Sequence, residues 1–215
     1  MKITMIGAGS MAHGIATRAL VGGSAVRLIN RNAAKATELA AQLVRAVPGA
    51  DVRSGLTEDI ADADVVVLAL PFEAAKEVAA THRAALAGKV VVDISNPVDF
   101  TTFDALTVAP GTSAAEEIAA VAPEAHVVKA FNTIFAGTLI AGELATGTPL
   151  DLFVAGDDQQ AKHQVLELGR TGGLHAVDAG PLRRARELES FQFLHMTLQE
   201  SLGAGWMSGI KIVLP

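Results

Sequence analysis

Residues 2–12 read KITMIGAGSMA, an apolar stretch that runs directly into a glycine turn. The pattern predicts a strand, a tight turn and a helix, whose apolar positions would continue at Ile15, Ala19 and Leu20. A second apolar stretch, Ala25–Ile29, follows where the next strand is expected. This order of elements is the setting in which Gly-x-Gly-x-x-Ala holds the pyrophosphate of a dinucleotide, because the helix N-terminus offers unpaired N–H groups. The residues expected to hold it are Gly7, Gly9, Ser10 and Met11.

The end of the second strand indicates which dinucleotide binds. About 20 residues beyond the glycine turn, a protein that binds NAD carries an acid that accepts hydrogen bonds from the ribose 2′-hydroxyl. This chain carries Asn30 and Arg31 there, and Lys35 follows one helical turn later. A guanidinium can hold a 2′-phosphate through two parallel hydrogen bonds, whereas a carboxylate would repel it. The sequence therefore predicts NADP, and the alternative is a solvated arginine after a turn that binds no ligand.

Composition and charge exclude several classes of protein. The 215 residues contain no cysteine, which excludes disulfides, thiolate metal sites and cysteine nucleophiles. A formal charge of −6 without a basic run argues against nucleic acid as a partner. Met1 and Lys2 lead directly into the first strand, and no apolar run approaches the roughly 20 residues that span a bilayer. We therefore expect a cytoplasmic protein with no membrane partner.

Segments typical of strands and helices alternate along most of the chain. The continuous apolar run at residues 64–70 is typical of a strand buried on both faces, and residues 72–86 predict a helix. The alternation predicts an α/β fold of the Rossmann type, with a doubly wound, mostly parallel sheet. Residues 182–202 then predict one long helix. We therefore divide the chain into an NADP-binding Rossmann domain, residues 1–180, and a small C-terminal helical segment, residues 181–215.

In an open α/β sheet, ligands bind outside the carboxyl ends of the strands. The residues just after the predicted strands are small, amide-bearing or proline, with no catalytic carboxylate, lysine or histidine. An alcohol dehydrogenase needs an acid or base near the substrate oxygen, whereas hydride transfer to a flavin-like ring needs mainly alignment and a dry pocket. The six histidines are scattered without metal-ligand spacing, so we expect no metal site. The residues expected to line the nicotinamide are Leu70, Pro71, Asn96, Pro97 and Ala130, and the expected catalytic residues are Asn132 and Ile134.

Three stretches carry a resemblance to a known family. Residues 177–182 read VDAGPL and lead into Arg186 and Glu189, while residues 154–158 read VAGDD. The third stretch is the pair Asn30-Arg31. Together they resemble the coenzyme F420-dependent NADP oxidoreductases, and the similarity covers nearly the whole chain. That family moves a hydride between NADPH and an 8-hydroxy-5-deazaflavin, so the resemblance implies a Rossmann fold, NADP and coenzyme F420.

One stretch departs from that family. Residues 129–133 read KAFNT, and members that bind the deazaflavin are expected to carry a histidine where this chain has Asn132. The same stretch resembles the NADPH domain of the membrane ferric reductases. The resemblance therefore implies binding of NADP more directly than it implies binding of the deazaflavin.

The sequence as a whole predicts an NADP-dependent oxidoreductase that moves a hydride between NADPH and a small-molecule electron acceptor, coenzyme F420 or a flavin. The alternatives are an NADPH-dependent flavin, ferric or imine-type reductase and a non-catalytic NADPH sensor. Imine reductases resemble the first half of the chain but append a much longer helical domain. The C-terminal helix is apolar around much of its circumference, at Leu188, Phe191 and Leu194 among others, so we expect a homodimer.

Overall fold

The apolar stretches form a single eight-stranded sheet in the computed structural model, which describes residues 1–213. The strands are β1 (Lys2–Ile6), β2 (Ala25–Ile29), β3 (Val52–Ser54), β4 (Val65–Leu68), β5 (Val90–Asp93), β6 (His126–Lys129), β7 (Asp151–Gly156) and β8 (His175–Gly180). They lie in the order β3-β2-β1-β4-β5-β6-β7-β8. Neighbouring strands from β3 to β6 are parallel, β7 is antiparallel to β6, and β8 is parallel to β7. The predicted Rossmann-type sheet is confirmed.

Helices cover both faces of the sheet. They are α1 (Ser10–Val21), α2 (Ala33–Ala46), α3 (Phe72–Thr81), α4 (Arg83–Leu86), α5 (Ala114–Val121), α6 (Ala136–Ala141), α7 (Gln159–Thr171) and α8 (Ala185–Thr197). One buried cluster packs α1, α2, α6 and α7 against the sheet, and a second packs α3, α4, α5 and the start of α8 against the opposite face. Because both faces are covered, every residue of β4 and β5 is buried, which explains their uninterrupted valine-rich sequences.

The helices differ from the sequence prediction in three places. The helix predicted over residues 72–86 is interrupted at His82, whose φ of −103° and ψ of 17° leave the helical conformation. The C-terminal helix is shorter than predicted, because a 3-10 turn (Leu182–Arg184) precedes α8 and non-helical turns follow it through Gly203. α6 was not predicted, since it is only six residues long.

The C-terminal segment lies against the sheet and the helices of the second face. Ala185 joins the buried cluster of α3 and α5, and Leu188 packs on Phe153 and Ala155 of β7. The division of the chain at residue 180 stays a prediction. Over residues 1–213, no helix has the length and apolar composition needed to cross a bilayer.

Candidate active site

The carboxyl ends of β1 to β6 lie along one edge of the sheet. From β1 the chain moves outward to β2 and β3, then returns to β4 on the other side of β1. A crevice opens at such a reversal, outside the carboxyl ends of the strands, and is where α/β sheets of this kind bind ligands. The predicted site residues follow β1, β2, β4, β5 and β6 at this edge, and Lys35 lies in the first turn of α2.

The glycine turn after β1 is closely packed on one side and open on the other. Gly7 has a φ of +122°, and its N–H donates to the carbonyl of Ile29 at 2.8 Å. A Cβ on Gly7 would overlap the carbonyl oxygen of Ala69, so only glycine fits. Gly9 precedes α1 without a side-chain cap, and a Cβ there would meet nothing within 4 Å. Gly9 and Ser10, where α1 begins, line an open depression, so the unpaired N–H groups of the first turn of α1 lie where the sequence predicts the pyrophosphate.

A cleft of about 380 Å³ opens between the end of β2 and α3. Gly7, Asn30, Arg31 and Leu70, all predicted from the sequence, line it together. Its further lining residues, which the sequence reasoning missed, are Ile6, Ile29, Thr57, Ile60, Ala74, Glu77, Val78, Thr81 and His82. The i, i+4 spacing of Ala74 and Val78 was the available signal, because it puts both on one face of α3.

Lys35 lies beside the glycine turn rather than in that cleft. It lines a separate depression of about 310 Å³ with Gly9, Ser10, His13 and residues of α2. Both depressions border the glycine turn, so positive charge stands on either side of it. This placement keeps Lys35 within the predicted phosphate-binding region.

Asn96 and Asn132 form a reciprocal pair at the ends of β5 and β6. The Asn96 Nδ2 donates to the Asn132 carbonyl at 3.0 Å, and the Asn132 Nδ2 donates to Asn96 Oδ1 at 3.0 Å and to the Leu188 carbonyl at 3.3 Å. Both groups that face the Asn132 Nδ2 are acceptors, which fixes the orientation of that amide. Asn132 is only 2% exposed, and its Oδ1 has no hydrogen-bond partner among residues 1–213.

The turn that carries Asn132 is strained. Phe131 is buried and has a φ of +65°, a left-handed conformation that is uncommon for a residue with a bulky side chain. Its carbonyl accepts from the N–H of Ile134 at 3.2 Å, which closes the turn. Ile134 is buried and forms an isolated bridge with Gly209. Ala130 is buried just behind this turn, and Pro97 is buried on the β5 side.

The C-terminal segment is anchored beside this turn. The His195 ring contacts the Gln192 Oε1 at 3.1 Å and the Ser208 Oγ at 2.8 Å. It also lies 4.6 Å, centroid to centroid, from the ring of Phe135, which in turn meets Trp206 edge-on at 5.3 Å. Burial lowers the pKa of His195 below its ordinary value of 6.5, so the ring is neutral near pH 7.

The sequence reasoning missed a buried ionic cluster behind the amide pair. Asp93 and Lys129 are the last residues of β5 and β6, and Glu189 lies on α8. All three are at most 1% exposed, so neither the acids nor the lysine presents a free proton-transfer group at the edge. Over residues 1–213, no group of three or more histidine, aspartate or glutamate side chains could hold a metal ion.

Comparison with known proteins places this geometry in a family. Residues 2–97 match the family described as NADP oxidoreductase, coenzyme F420-dependent. Over 209 residues the chain is 32% identical to the F420-dependent NADP reductase of Methanothermobacter thermautotrophicus, a match that covers 92% of this chain and 89% of that protein. Its fold is similar to the crystal structure of a candidate F420-dependent NADP reductase from Arthrobacter sp. FB24, with a TM-score of 0.82, 29% identity and 100% of both chains covered.

A second kind of relative carries a different name. Over 193 residues the chain is 31% identical to the metalloreductase STEAP3 of Rattus norvegicus. The match covers 88% of this chain and 36% of that protein, so the chain spans about a third of the length of this relative. The two kinds of relative are both named as reductases, but their names differ in what is reduced.

Proposed function

Because this chain belongs to the family of F420-dependent NADP reductases, we propose that it transfers a hydride between NADPH and a flavin-like ring, with coenzyme F420 as the favoured acceptor. Its class is that of an NADP-dependent oxidoreductase. NADPH supplies the hydride when it is bound, and reduction of the acceptor takes up that hydride and one proton from solvent while NADP⁺ is released.

The residues at the sheet edge fit the parts of NADP. The glycine turn with Ser10 and Met11 would hold the pyrophosphate, since the α1 N-terminus is open there. Asn30 and Arg31 would hold the 2′-phosphate from one side and Lys35 from the other. The apolar lining of the cleft would cover the adenine. Leu70, Pro71, Asn96, Pro97 and Ala130 would line the nicotinamide.

The observation that carries the proposal is the unpartnered Oδ1 of Asn132. A buried carbonyl oxygen without a donor is costly, by about 1–3 kcal/mol, unless a ligand supplies the missing hydrogen bond. A carboxamide on the nicotinamide and a ring N–H of a deazaflavin or flavin are both donors of the required kind. Ile134 would add apolar cover to the ring, while Asn132 would orient it.

The test of the acceptor is a panel assay. NADPH oxidation is followed with coenzyme F420, riboflavin, FMN and FAD, each under anaerobic conditions. We expect fastest turnover with coenzyme F420. A flavin is the second candidate, favoured by Asn132 where the family resemblance implies a histidine. If NADPH reduces none of the four acceptors in the presence of the protein, the proposal is contradicted.

The role of Asn132 is tested by Asn132→Leu. We expect hydride transfer to slow by about tenfold or more, since small misplacements of reacting groups are that costly, with NADPH affinity nearly unchanged. Gln164→Leu on α7 is the matched control, because the Gln164 Oε1 is also a buried acceptor without a partner among residues 1–213. Equal rates for Asn132→Leu and the unmodified protein would remove Asn132 from the site.

A homodimer is proposed from the outer face of α8. Phe191, Leu194 and Leu198 follow one another at helical spacing and are 46%, 55% and 41% exposed. Trp206 and Met207 expose further apolar surface in the segment that follows. An apolar stripe of this kind is commonly covered by a second copy about a two-fold axis. The cytoplasmic location expected from the sequence stays a prediction.

A further inference from the structure

A single buried ammonium joins three elements behind the Asn96–Asn132 pair. The Nζ of Lys129 donates to Asp93 Oδ2 at 2.8 Å, to the Ser95 carbonyl at 2.5 Å and to Glu189 Oε1 at 2.7 Å. A lysine ammonium has three donors, so all of its hydrogen-bonding capacity is used. The partners come from β5, from the residues just after it and from α8.

The two carboxylates extend the network into the surrounding backbone. Asp93 Oδ1 accepts from the N–H of Ser95 at 2.9 Å, so Ser95 is held through both its N–H and its carbonyl. Glu189 accepts from the N–H groups of Ala114 and Ala115, at 3.0 and 3.4 Å, at the N-terminus of α5. The positive end of that helix dipole therefore stabilises the second carboxylate.

Burial and charge act in opposite directions on the pKa values of Lys129 and Glu189. Burial alone would lower the pKa of Lys129, but the charges of Asp93 and Glu189 together outweigh burial and hold that pKa above its ordinary value. For Glu189, burial outweighs the attraction of Lys129 and raises the pKa. A well-packed apolar set of similar volume is often as stable as a buried ionic cluster, so stability alone does not account for this one.

Two of the three partners of Lys129, Ser95 and Glu189, are sequence neighbours of residues in the hydrogen-bond network of the amide pair. Ser95 precedes Asn96, and Glu189 follows Leu188, whose carbonyl accepts from Asn132. Lys129 itself stands three residues before Asn132, across the strained turn at Phe131. A shift of the ammonium would therefore move all three backbone segments that orient the two amides.

We propose that Lys129 is a positioning residue for hydride transfer, which with Asp93 and Glu189 fixes the Asn96–Asn132 pair and docks α8 beside it. The inference rests on the proposed function, since the pair is taken to orient the reacting rings. Lys129 does not reach the rings itself, because all three of its donors are taken by Asp93, Ser95 and Glu189. Its effect is on the alignment of the amides, and hence on the rate of the chemical step rather than on NADPH affinity.

The test removes the charges in two ways. Lys129→Met alone leaves two buried carboxylates without a cationic partner and is expected to lower stability severely. The triple variant Asp93→Asn, Lys129→Met, Glu189→Gln removes all three charges and is expected to recover much of that stability. Lys162→Met is the matched control, because Lys162 on α7 is 4% exposed and its partners are Asp178 and the Gly180 carbonyl rather than the groups that contact the amide pair.

Two readouts distinguish positioning from a purely structural role. In the triple variant, single-turnover hydride transfer at saturating NADPH should be slower by about tenfold to a hundredfold, with the NADPH dissociation constant within about twofold. The side-chain amide resonances of Asn96 and Asn132, read by ¹⁵N NMR without any acceptor, should shift or broaden. Neither change is expected in Lys162→Met.

The outcomes separate this inference from the proposed function. Recovery of the transfer rate together with stability would overturn the positioning role, and so would unchanged amide resonances in the triple variant. If the unmodified protein reduces no acceptor, the proposed function fails, while the amide resonances still test whether the ammonium orders the pair.

Discussion

At the scale of single residues, Arg31 is the side chain on which the choice of dinucleotide depends. It is exposed at the end of β2, in the same cleft as Asn30 and Gly7, where a 2′-phosphate would meet its guanidinium. An ordinary protein of this fold that binds NAD would place a carboxylate there. The position therefore distinguishes the two dinucleotides by charge.

Arg31→Ala should weaken NADPH binding by about ten- to a hundredfold, because a charge-assisted hydrogen bond contributes roughly 1.5–3 kcal/mol. NADH binding should hardly change, since NADH has no 2′-phosphate. Arg45→Ala, at the exposed end of α2, is the matched control and should leave both affinities as they are. Fluorescence titration measures both. Equal affinity of the unmodified protein for NADH and NADPH would contradict the assignment.

At the scale of elements, the segment after α8 is held to α8 by neutral hydrogen bonds. His195 contacts Gln192 and Ser208, and the Gln199 Nε2 donates to the His195 carbonyl at 2.8 Å and to the Ser208 Oγ at 2.9 Å. Since burial lowers the pKa of His195, the unfolded chain takes up a proton at a higher pH than the folded one does. The docking of this segment therefore depends on pH.

The free energy of unfolding should fall as the pH is lowered from about 7.5 to about 5.5, because His195 contributes fully only above its unfolded pKa near 6.5. His195→Gln should lose less stability over the same range. His163→Gln, at an exposed position on α7, should behave like the unmodified protein. Urea unfolding at each pH provides the measurement. A pH dependence that His195→Gln leaves unaltered would rule out this account.

The elements that the sequence predicted well are those that local pattern determines. Apolar runs and the spacing of the glycines predict β1, the glycine turn, α1 and β2. Because these strands are parallel, the same pattern also predicts the edge of the sheet at which the site residues lie. The break at His82 and the end of α8 could not be predicted, because helix ends depend on tertiary contacts. The antiparallel pairing of β7 likewise leaves no mark in the sequence of one strand.

The Lys129 cluster shows why part of the site could not be predicted. Its members are separated by 36 and 60 residues; Asp93 and Lys129 end apolar strands, whereas Glu189 is one of several charged residues in its segment. Only the pairing of β5 with β6 and the docking of α8 bring them together. Asn96 and Asn132 were both predicted as site residues because each follows a predicted strand, but their hydrogen bonds to each other and to the Leu188 carbonyl were not predicted.

At the scale of the whole molecule, the apolar stripe on α8 predicts a dimer in solution. Leu194→Glu would place a charge in the middle of the proposed interface, so it should convert the dimer to a monomer without unfolding the chain. Val44→Glu, an exposed apolar position on α2, is the control and should leave the assembly unchanged. Light scattering at micromolar protein distinguishes the states. A monodisperse monomer of the unmodified protein would refute the proposal.

The most direct test of hydride transfer follows deuterium from NADPH to the acceptor. NADPH carrying two deuterium atoms on carbon 4 of the nicotinamide is mixed with the unmodified protein and coenzyme F420 in a single turnover, and both products are analysed by mass spectrometry. The proposed function predicts that one deuterium appears in the reduced deazaflavin and that the same reaction with NADH is much slower. Retention of all deuterium in the nicotinamide, or its loss to solvent, would contradict the account.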